Sequence, residues 1–353
     1  MSKFLSAKHK NLIPYTPGEQ PKNMKYIKLN TNESPFSPHP ACANTAKEAA
    51  GTLNLYSDPE CTPIVQKLST LYNVSPDEIL FTNGSDEILN FAFTAFCDKE
   101  HAAVFPDITY GFYKVFAELN NVTFEEIPLK DNFSIDINDY IGINKNIFIA
   151  NPNAPTGIAL SKKELEKIIS SNPENIVVID EAYIDFGGES CVPLIHKYDN
   201  LIVTQTFSKS RSLAGARLGF GLASHELIKD LNTIKYSTNP YNINSLTMAA
   251  GLAALEHEEY TKKNCEIIKK NRRFTASELK KLGFVLTNSS ANFVFAKHPE
   301  ISGKDIYKKL KEKGILIRHF ESERICEYNR ITIGTKEQTE ALIRALKEII
   351  EKE

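Results

Sequence analysis

A lysine at the end of a strand, with a hydroxyl beside it and an arginine shortly after, can hold a phosphorylated aldehyde. The chain carries this set at Thr206-Phe207-Ser208-Lys209, directly after the apolar run Leu201–Thr204, with Arg217 eight residues further on. The lysine amine is the nucleophile that forms a Schiff base with an aldehyde. Ser208 and Arg217 would hold the phosphate, the arginine through its charged donor fork. A lysine in such a place is more often a plain surface residue, so the reading rests on the set and on what accompanies it.

Three further groups follow apolar runs. Asp180-Glu181-Ala182-Tyr183 follows Ile176–Ile179. It could be an ordinary strand-to-turn Asp with a packed Tyr. It also suits a carboxylate that keeps a ring nitrogen protonated, as pyridoxal phosphate requires to act as an electron sink. Tyr183 would then bond the cofactor's phenolic oxygen. Asn83-Gly84-Ser85-Asp86-Glu87 opens a helix. Capping alone explains its composition, but free N–H groups at the positive helix end also seat a phosphate, with Gly84 letting the backbone come close. Asn151-Pro152-Asn153-Ala154-Pro155-Thr156-Gly157 follows Ile147–Ala150 and is a proline-framed loop at a strand's carboxyl end.

These groups need a frame that gathers strand ends. Ile79–Thr82, Ala102–Phe105, Ile147–Ala150, Ile176–Asp180, Leu201–Thr206 and Leu218–Ala223 are short and apolar almost throughout. Strands buried on both faces have this composition, which predicts a mainly parallel sheet between helices. Such a sheet sets its functional groups at the carboxyl ends of its strands. Helices are predicted over 63–72 and 87–97. After about residue 245 the texture changes: helices over 248–257, 259–282, 304–313 and 337–350 alternate with strands over 292–297, 315–318 and 330–333. The expected organisation is an arm over 1–35, a large cofactor-binding domain over 36–245 and a small α+β domain over 246–353. Six prolines between Pro14 and Pro40 make the arm extended, and Tyr15, Tyr26 and Ile27 suggest that it docks. The basic run Lys269-Lys270-Asn271-Arg272-Arg273 reads as a solvated helix face.

Bulk properties narrow the class. The chain has 353 residues, 42 Lys+Arg against 44 Asp+Glu, and a net charge of −2. That length suggests roughly two domains, and the balanced charge gives no support for a nucleic-acid partner. No apolar run approaches the ~18 residues of a membrane helix. The opening MSKFLSAKHKNLIPYTPGEQ has no signal-peptide core. Six scattered cysteines form no CxxC pair and no zinc-spaced cluster. A reducing, cytoplasmic setting without metal is expected.

Taken in order and spacing, the four groups resemble the fold-type I pyridoxal-phosphate aminotransferases. Within them the chain is similar to the subfamily acting on histidinol phosphate, through Leu12-Ile13-Pro14-Tyr15, Leu29-Asn30-Thr31-Asn32-Glu33-Ser34-Pro35, Leu55-Tyr56-Ser57-Asp58-Pro59 and Asn329-Arg330-Ile331-Thr332-Ile333-Gly334. The resemblance implies an α/β fold with a seven-stranded large-domain sheet, and amino transfer between L-histidinol phosphate and 2-oxoglutarate in histidine biosynthesis. It implies that Lys209 is the Schiff-base lysine, that Asp180 pairs with the pyridine nitrogen, that Tyr183 contacts the phenolic oxygen and that Tyr110 stacks on the ring. Gly84, Ser85, Asp86, Ser208 and Arg217 would surround the phosphate, Asp86 through its backbone N–H. Tyr56 would reach the cofactor of a partner subunit, which implies a homodimer. Arg330, helped by Tyr15, would bind the substrate's anionic group. One position departs from the family: Ala154 stands where relatives often have the Asn that bonds the phenolic oxygen, and Asn153 remains as a candidate for that contact. Arg318 and Arg324 are left unassigned. A threonine-phosphate decarboxylase or an aromatic aminotransferase would share Lys209, Asp180 and Arg217. A non-enzymatic cofactor-binding regulator is not expected, because the motifs begin too early to leave room for a DNA-binding module. A dinucleotide dehydrogenase is disfavoured because Gly215–Gly221 lacks G-x-G-x-x-G spacing.

Overall fold

The structure, a computed structural model, describes residues 2–351. Its main sheet has seven strands in the order β2-β8-β7-β6-β5-β3-β4. In chain order these are β2 (Ile79–Thr82), β3 (Ala103–Pro106), β4 (Phe124–Ile127), β5 (Asn146–Ala150), β6 (Val177–Asp180), β7 (Leu201–Thr206) and β8 (Gly219–Ala223). Every residue of β5, β6, β7 and β8 is buried, because helices cover both faces of the sheet and leave no polar side. Only β8 runs against its neighbours. The segment that turns the chain round between β7 and β8 carries Ser208, Lys209 and Arg217. β4 was not foreseen: its Phe-Glu-Glu-Ile is an edge strand with both glutamates exposed, which looks like a loop in a search for apolar runs.

Glycines in β8 let helix α3 (Ser85–Phe96) lie against the sheet. A Cβ on Gly219 would sit 2.3 Å from the Ser85 backbone nitrogen. The start of α3 is thereby set beside the β7–β8 connection. The helices α1 (Pro40–Ala49), α2 (Thr62–Tyr72), α4 (Phe112–Asn120), α5 (Lys162–Ser170) and α6 (His225–Thr238) complete the cover. Of these, α1, α4, α5 and α6 were unassigned from sequence.

The second sheet has five strands in the order β1-β11-β12-β10-β9. They are β1 (Ile27–Leu29), β9 (Val285–Leu286), β10 (Phe293–Lys297), β11 (Ile315–His319) and β12 (Asn329–Thr332), packed with α8 (Glu258–Lys281), α9 (Gly303–Glu312) and α10 (Lys336–Ile350). The arm is extended and docks, as its prolines and Ile27 suggest: Ile27-Lys28-Leu29 pairs in parallel with Ile315-Leu316-Ile317. Three residues whose partner lies near the other end of the chain give no local periodicity. Helix α7 (Ser245–Glu256) follows the expected break at 245, yet Met248, Ala250, Ala253 and Ala254 pack in the core of the large sheet. Arg272 is likewise only partly exposed. It donates to the carbonyls of Phe186 and Ala291, fixing α8 to the segment after β6.

Candidate active site

Strand ends β6 and β7, the start of α3 and the arm enclose a cavity of about 370 Å³ lined by Ser85, Asp86, Asp180, Tyr183, Ser208, Lys209 and Arg217. It continues through Thr31, Tyr110, Ala154, Tyr183 and Lys209 into a second space of about 470 Å³ that Tyr15, Asn32, Arg318 and Arg330 also line. Nearly all the residues singled out from sequence therefore face one connected volume.

At the inner end, Asp180 is the last residue of β6 and is buried. Its carboxylate accepts from the Tyr113 hydroxyl at 3.1 Å and from the Ala182 N–H at 3.1 Å. Both donors are neutral. Burial pushes its pKa up to about 7 against the pull of those two bonds, because the charged form is poorly solvated there. A cation against Asp180 would relieve that burial. Lys209 Nζ donates to the Thr31 carbonyl at 3.2 Å and lies 5.8 Å from the centre of the Tyr183 ring. Ser208 is buried, its hydroxyl accepting from Thr206 Oγ1 at 3.1 Å.

Arg217 sits in left-handed backbone conformation at φ 55° and reaches Asp86 Oδ2 at 3.0 Å. The approach requires Gly84: a Cβ there would be 2.6 Å from Arg217 Nη2, and Gly84 itself has φ 75°. The Asp86 carboxylate is also held by the Tyr110 hydroxyl at 2.6 Å. Its side chain thus positions Arg217 and Tyr110, leaving the N–H groups of Ser85 and Asp86 at the start of α3 to meet an anion.

The outer end is built by the arm and the second sheet. Arg330, on β12, donates to the Asn30 carbonyl at 3.1 Å, and its Nε is buried with no hydrogen-bond partner among the described residues. Its guanidinium lies 5.4 Å from the Phe293 ring centre. Burial lowers its pKa from the usual arginine range. The titratable groups around it are Tyr183, Tyr15, Arg318 and Tyr110, none of them a carboxylate. Tyr15 stacks on Phe112 at 4.2 Å. Arg318 bonds only backbone carbonyls of the arm, Thr16 at 3.2 Å and Pro17 at 3.4 Å. Two guanidiniums thus face one space with no acidic partner among the described residues, an arrangement able to hold an anion.

Three sequence expectations take a different form. Asn153 does not line the cavity. Its amide donates to the Ile108 carbonyl at 2.9 Å and to Thr156 Oγ1 at 3.1 Å, and accepts from Thr109 at 2.7 Å. It holds the loop, and the buried methyl of Ala154 faces the cavity instead. Tyr56 is 83% exposed, stacked on Tyr241 at 4.4 Å and outside its own chain's cavity. Arg324 is bound to Asp107 and to the Leu129 carbonyl, so of the two unassigned arginines it is Arg318 that faces the site. Sequence reasoning missed two residues outright. Tyr113 bonds Asp180 from α4, and its signal was hidden in an aromatic helix. Asn32 bonds Tyr183, and its signal was present in the Leu29–Pro35 motif but without a role.

A parallel-sheet fold with a lysine, a buried carboxylate and a phosphate-sized cradle at its strand ends agrees with sequence comparison. The profile of the class I and II aminotransferases matches residues 24–346, and the chain belongs to that family. The histidinol-phosphate aminotransferase of Brachyspira hyodysenteriae is 49% identical over 352 residues, 99% of each chain. That of Clostridium botulinum strain Okra is 46% identical over the whole of both chains. The crystal structure of the histidinol-phosphate aminotransferase from Clostridium acetobutylicum superposes with a TM-score of 0.85 at 25% identity, covering 93% of this chain and all of that one.

Proposed function

We propose that the protein transfers an amino group between L-histidinol phosphate and 2-oxoglutarate, with pyridoxal 5'-phosphate as cofactor, in the biosynthesis of histidine. The observation that carries this reading is one connected cavity holding an amine, a buried carboxylate hydrogen-bonded by neutral donors, and an arginine pair that bonds backbone carbonyls. Full-length likeness to relatives of that activity supports the choice of substrate.

The residues suit the cofactor. Asp180, buried against neutral donors only, is matched to a protonated pyridine nitrogen. Arg217, Ser208, Ser85 and the N–H groups at the start of α3 suit the cofactor phosphate, with Gly84 keeping the backbone open. Tyr110 and Tyr183 line the same cavity, where Tyr110 would flank the ring and Tyr183 would offer its hydroxyl to the phenolic oxygen. When bound, pyridoxal phosphate supplies an aldehyde for the amino group and an electron-accepting ring. Lys209 Nζ, an amine on a mobile four-carbon stem, would be the group that accepts the proton lost by the substrate carbon and releases it again. Arg330 and Arg318 orient the substrate by its phosphate in one half-reaction and by a carboxylate in the other. Tyr15, stacked on Phe112, lines the outer end of the cavity beside them.

A homodimer completes the site. Leu53, Leu55, Tyr56 and Tyr241 are large exposed apolar residues on adjoining segments, and such a patch suits a second copy of the chain. Tyr56, pointing away from its own cavity, would serve the partner's phosphate. Mixing inactive Tyr56→Ala and Lys209→Ala variants should restore activity in the heterodimer; none after verified subunit exchange rules the contribution out. The setting is a reducing cytoplasm, in keeping with six free cysteines, five of them buried.

Purified protein supplied with pyridoxal phosphate tests the reaction. Glutamate should form from 2-oxoglutarate when histidinol phosphate is the amino donor. Carbon dioxide released from threonine phosphate, with no glutamate formed, would replace this function by a decarboxylase.

A further inference from the structure

Tyr183 has one hydroxyl hydrogen, and where it points is decided by what its oxygen accepts. That oxygen accepts from Asn32 Nδ2 at 3.0 Å. Its own hydrogen has no acceptor among the described residues, and Tyr183 faces the cavity. The ring cannot swing away, because it meets Phe293 edge-on at 5.2 Å and 89°.

Asn32 is itself held on every side. It is buried, with φ 56°, a conformation that asparagine tolerates better than other side-chain-bearing residues. Its N–H donates to Thr332 Oγ1 at 3.0 Å, and the Thr332 hydroxyl donates back to Asn32 Oδ1 at 3.0 Å. Its carbonyl accepts from Asn292 Nδ2 at 3.0 Å. This ring of bonds fixes which way the amide faces. Turned over, the amide would leave the buried Thr332 hydroxyl hydrogen without an acceptor and would take the Tyr183 proton for itself. Ala154, facing the same space, has no donor to offer.

We propose that Asn32 is a positioning residue, which by donating to the Tyr183 oxygen directs the Tyr183 proton into the cavity toward an anionic oxygen of the bound cofactor. The inference rests on the function proposed above, in which that oxygen is the phenolic one. A directed O–H donor stabilises the anion and so favours loss of the neighbouring proton. The arm and the second sheet, through Asn32 and Thr332, thus help to set the electronic state of a group seated on the first sheet.

The test is a pH titration of the visible absorbance band of protein loaded with pyridoxal phosphate. Asn32→Gly removes the amide, while glycine accepts φ 56° without strain. Its titration midpoint should rise by roughly half a unit to one unit. Tyr183→Phe should rise at least as far, and the double variant should titrate where Tyr183→Phe does, because Asn32 acts through Tyr183. An unmoved midpoint in Asn32→Gly overturns the proposal, as does a full additional shift in the Tyr183→Phe background. Should Asn32→Gly fail to fold, Thr332→Val keeps the amide but frees it to turn. A smaller rise there supports the proposal, and none overturns it. A wild-type protein that takes up pyridoxal phosphate without any visible band overturns the proposed function itself.

Discussion

The two arginines at opposite ends of the cavity stand in opposite settings. Arg217 is 47% exposed and already paired, with the Asp86 carboxylate at 3.0 Å. Arg330 has its Nε buried and no carboxylate beside it. An arginine held by an internal acid keeps its geometry whether or not a ligand is present, which suits a resident group. An arginine already stripped of water, with its remaining donors free, gives its full attraction to an anion that comes and goes. In the proposed function this difference gives the first sheet to the cofactor and the arm with the second sheet to the substrate. It also shows where burial is tolerated without an ion pair: among the described residues neither Asp180 nor Arg330 has an oppositely charged group within salt-bridge distance, and each faces the cavity.

Substitutions can break this division. The largest effect is expected at Asp180. Asp180→Ala should retain cofactor through the phosphate cradle and lower kcat by roughly three powers of ten; turnover near the wild-type rate would make this carboxylate merely structural. Arg330→Met should raise KM for histidinol phosphate by ~100-fold, the loss of a charged hydrogen-bonding partner, while the visible spectrum of the loaded protein stays unchanged. A spectrum that moves with Arg330→Met would merge the two ends. A smaller effect separates burial from ligand. In the cofactor-free protein Asp180 has its pKa raised from 3.8 to about 7 by burial. A raised carboxyl stabilises the fold at low pH, and that stability is lost as pH climbs toward 7. Asp180→Asn should therefore melt above wild type at pH 8, with the gap closing toward pH 4. Glu181, also raised to about 7 by burial, leaves part of the pH dependence in the variant. The smallest effect is at the loop. Ala154→Asn adds a donor facing the cavity and should lower the visible-band midpoint by about one unit. An unchanged midpoint means that position 154 is already compensated.

Legibility in the sequence followed the same division. Strands β2, β7 and their neighbours could be read because burial on both faces makes them apolar throughout, and the chemistry at their ends follows each run directly. Lys209, Asp180 and Arg217 needed no knowledge of distant contacts. The other end is assembled from afar: β1 pairs with β11, Asn32 with Thr332, and Arg330 with the carbonyl of Asn30. No local pattern marks such pairs, so the resemblance named Arg330 and Tyr15 while Asn32 was quoted without a role. Asn153 shows the reverse error. Its place in the loop suggested a cofactor contact, but its amide is spent on Ile108, Thr156 and Thr109. A side chain's chemistry can be read from its type, but its partners depend on the fold.

The account stands most directly on Lys209. Protein loaded with pyridoxal phosphate, reduced with borohydride, digested and examined by mass spectrometry should carry the pyridoxyl group on the peptide containing Lys209, and Lys209→Ala should carry none there and lose turnover. A label on another lysine of the wild-type protein, or no label after full uptake of the cofactor, would contradict it.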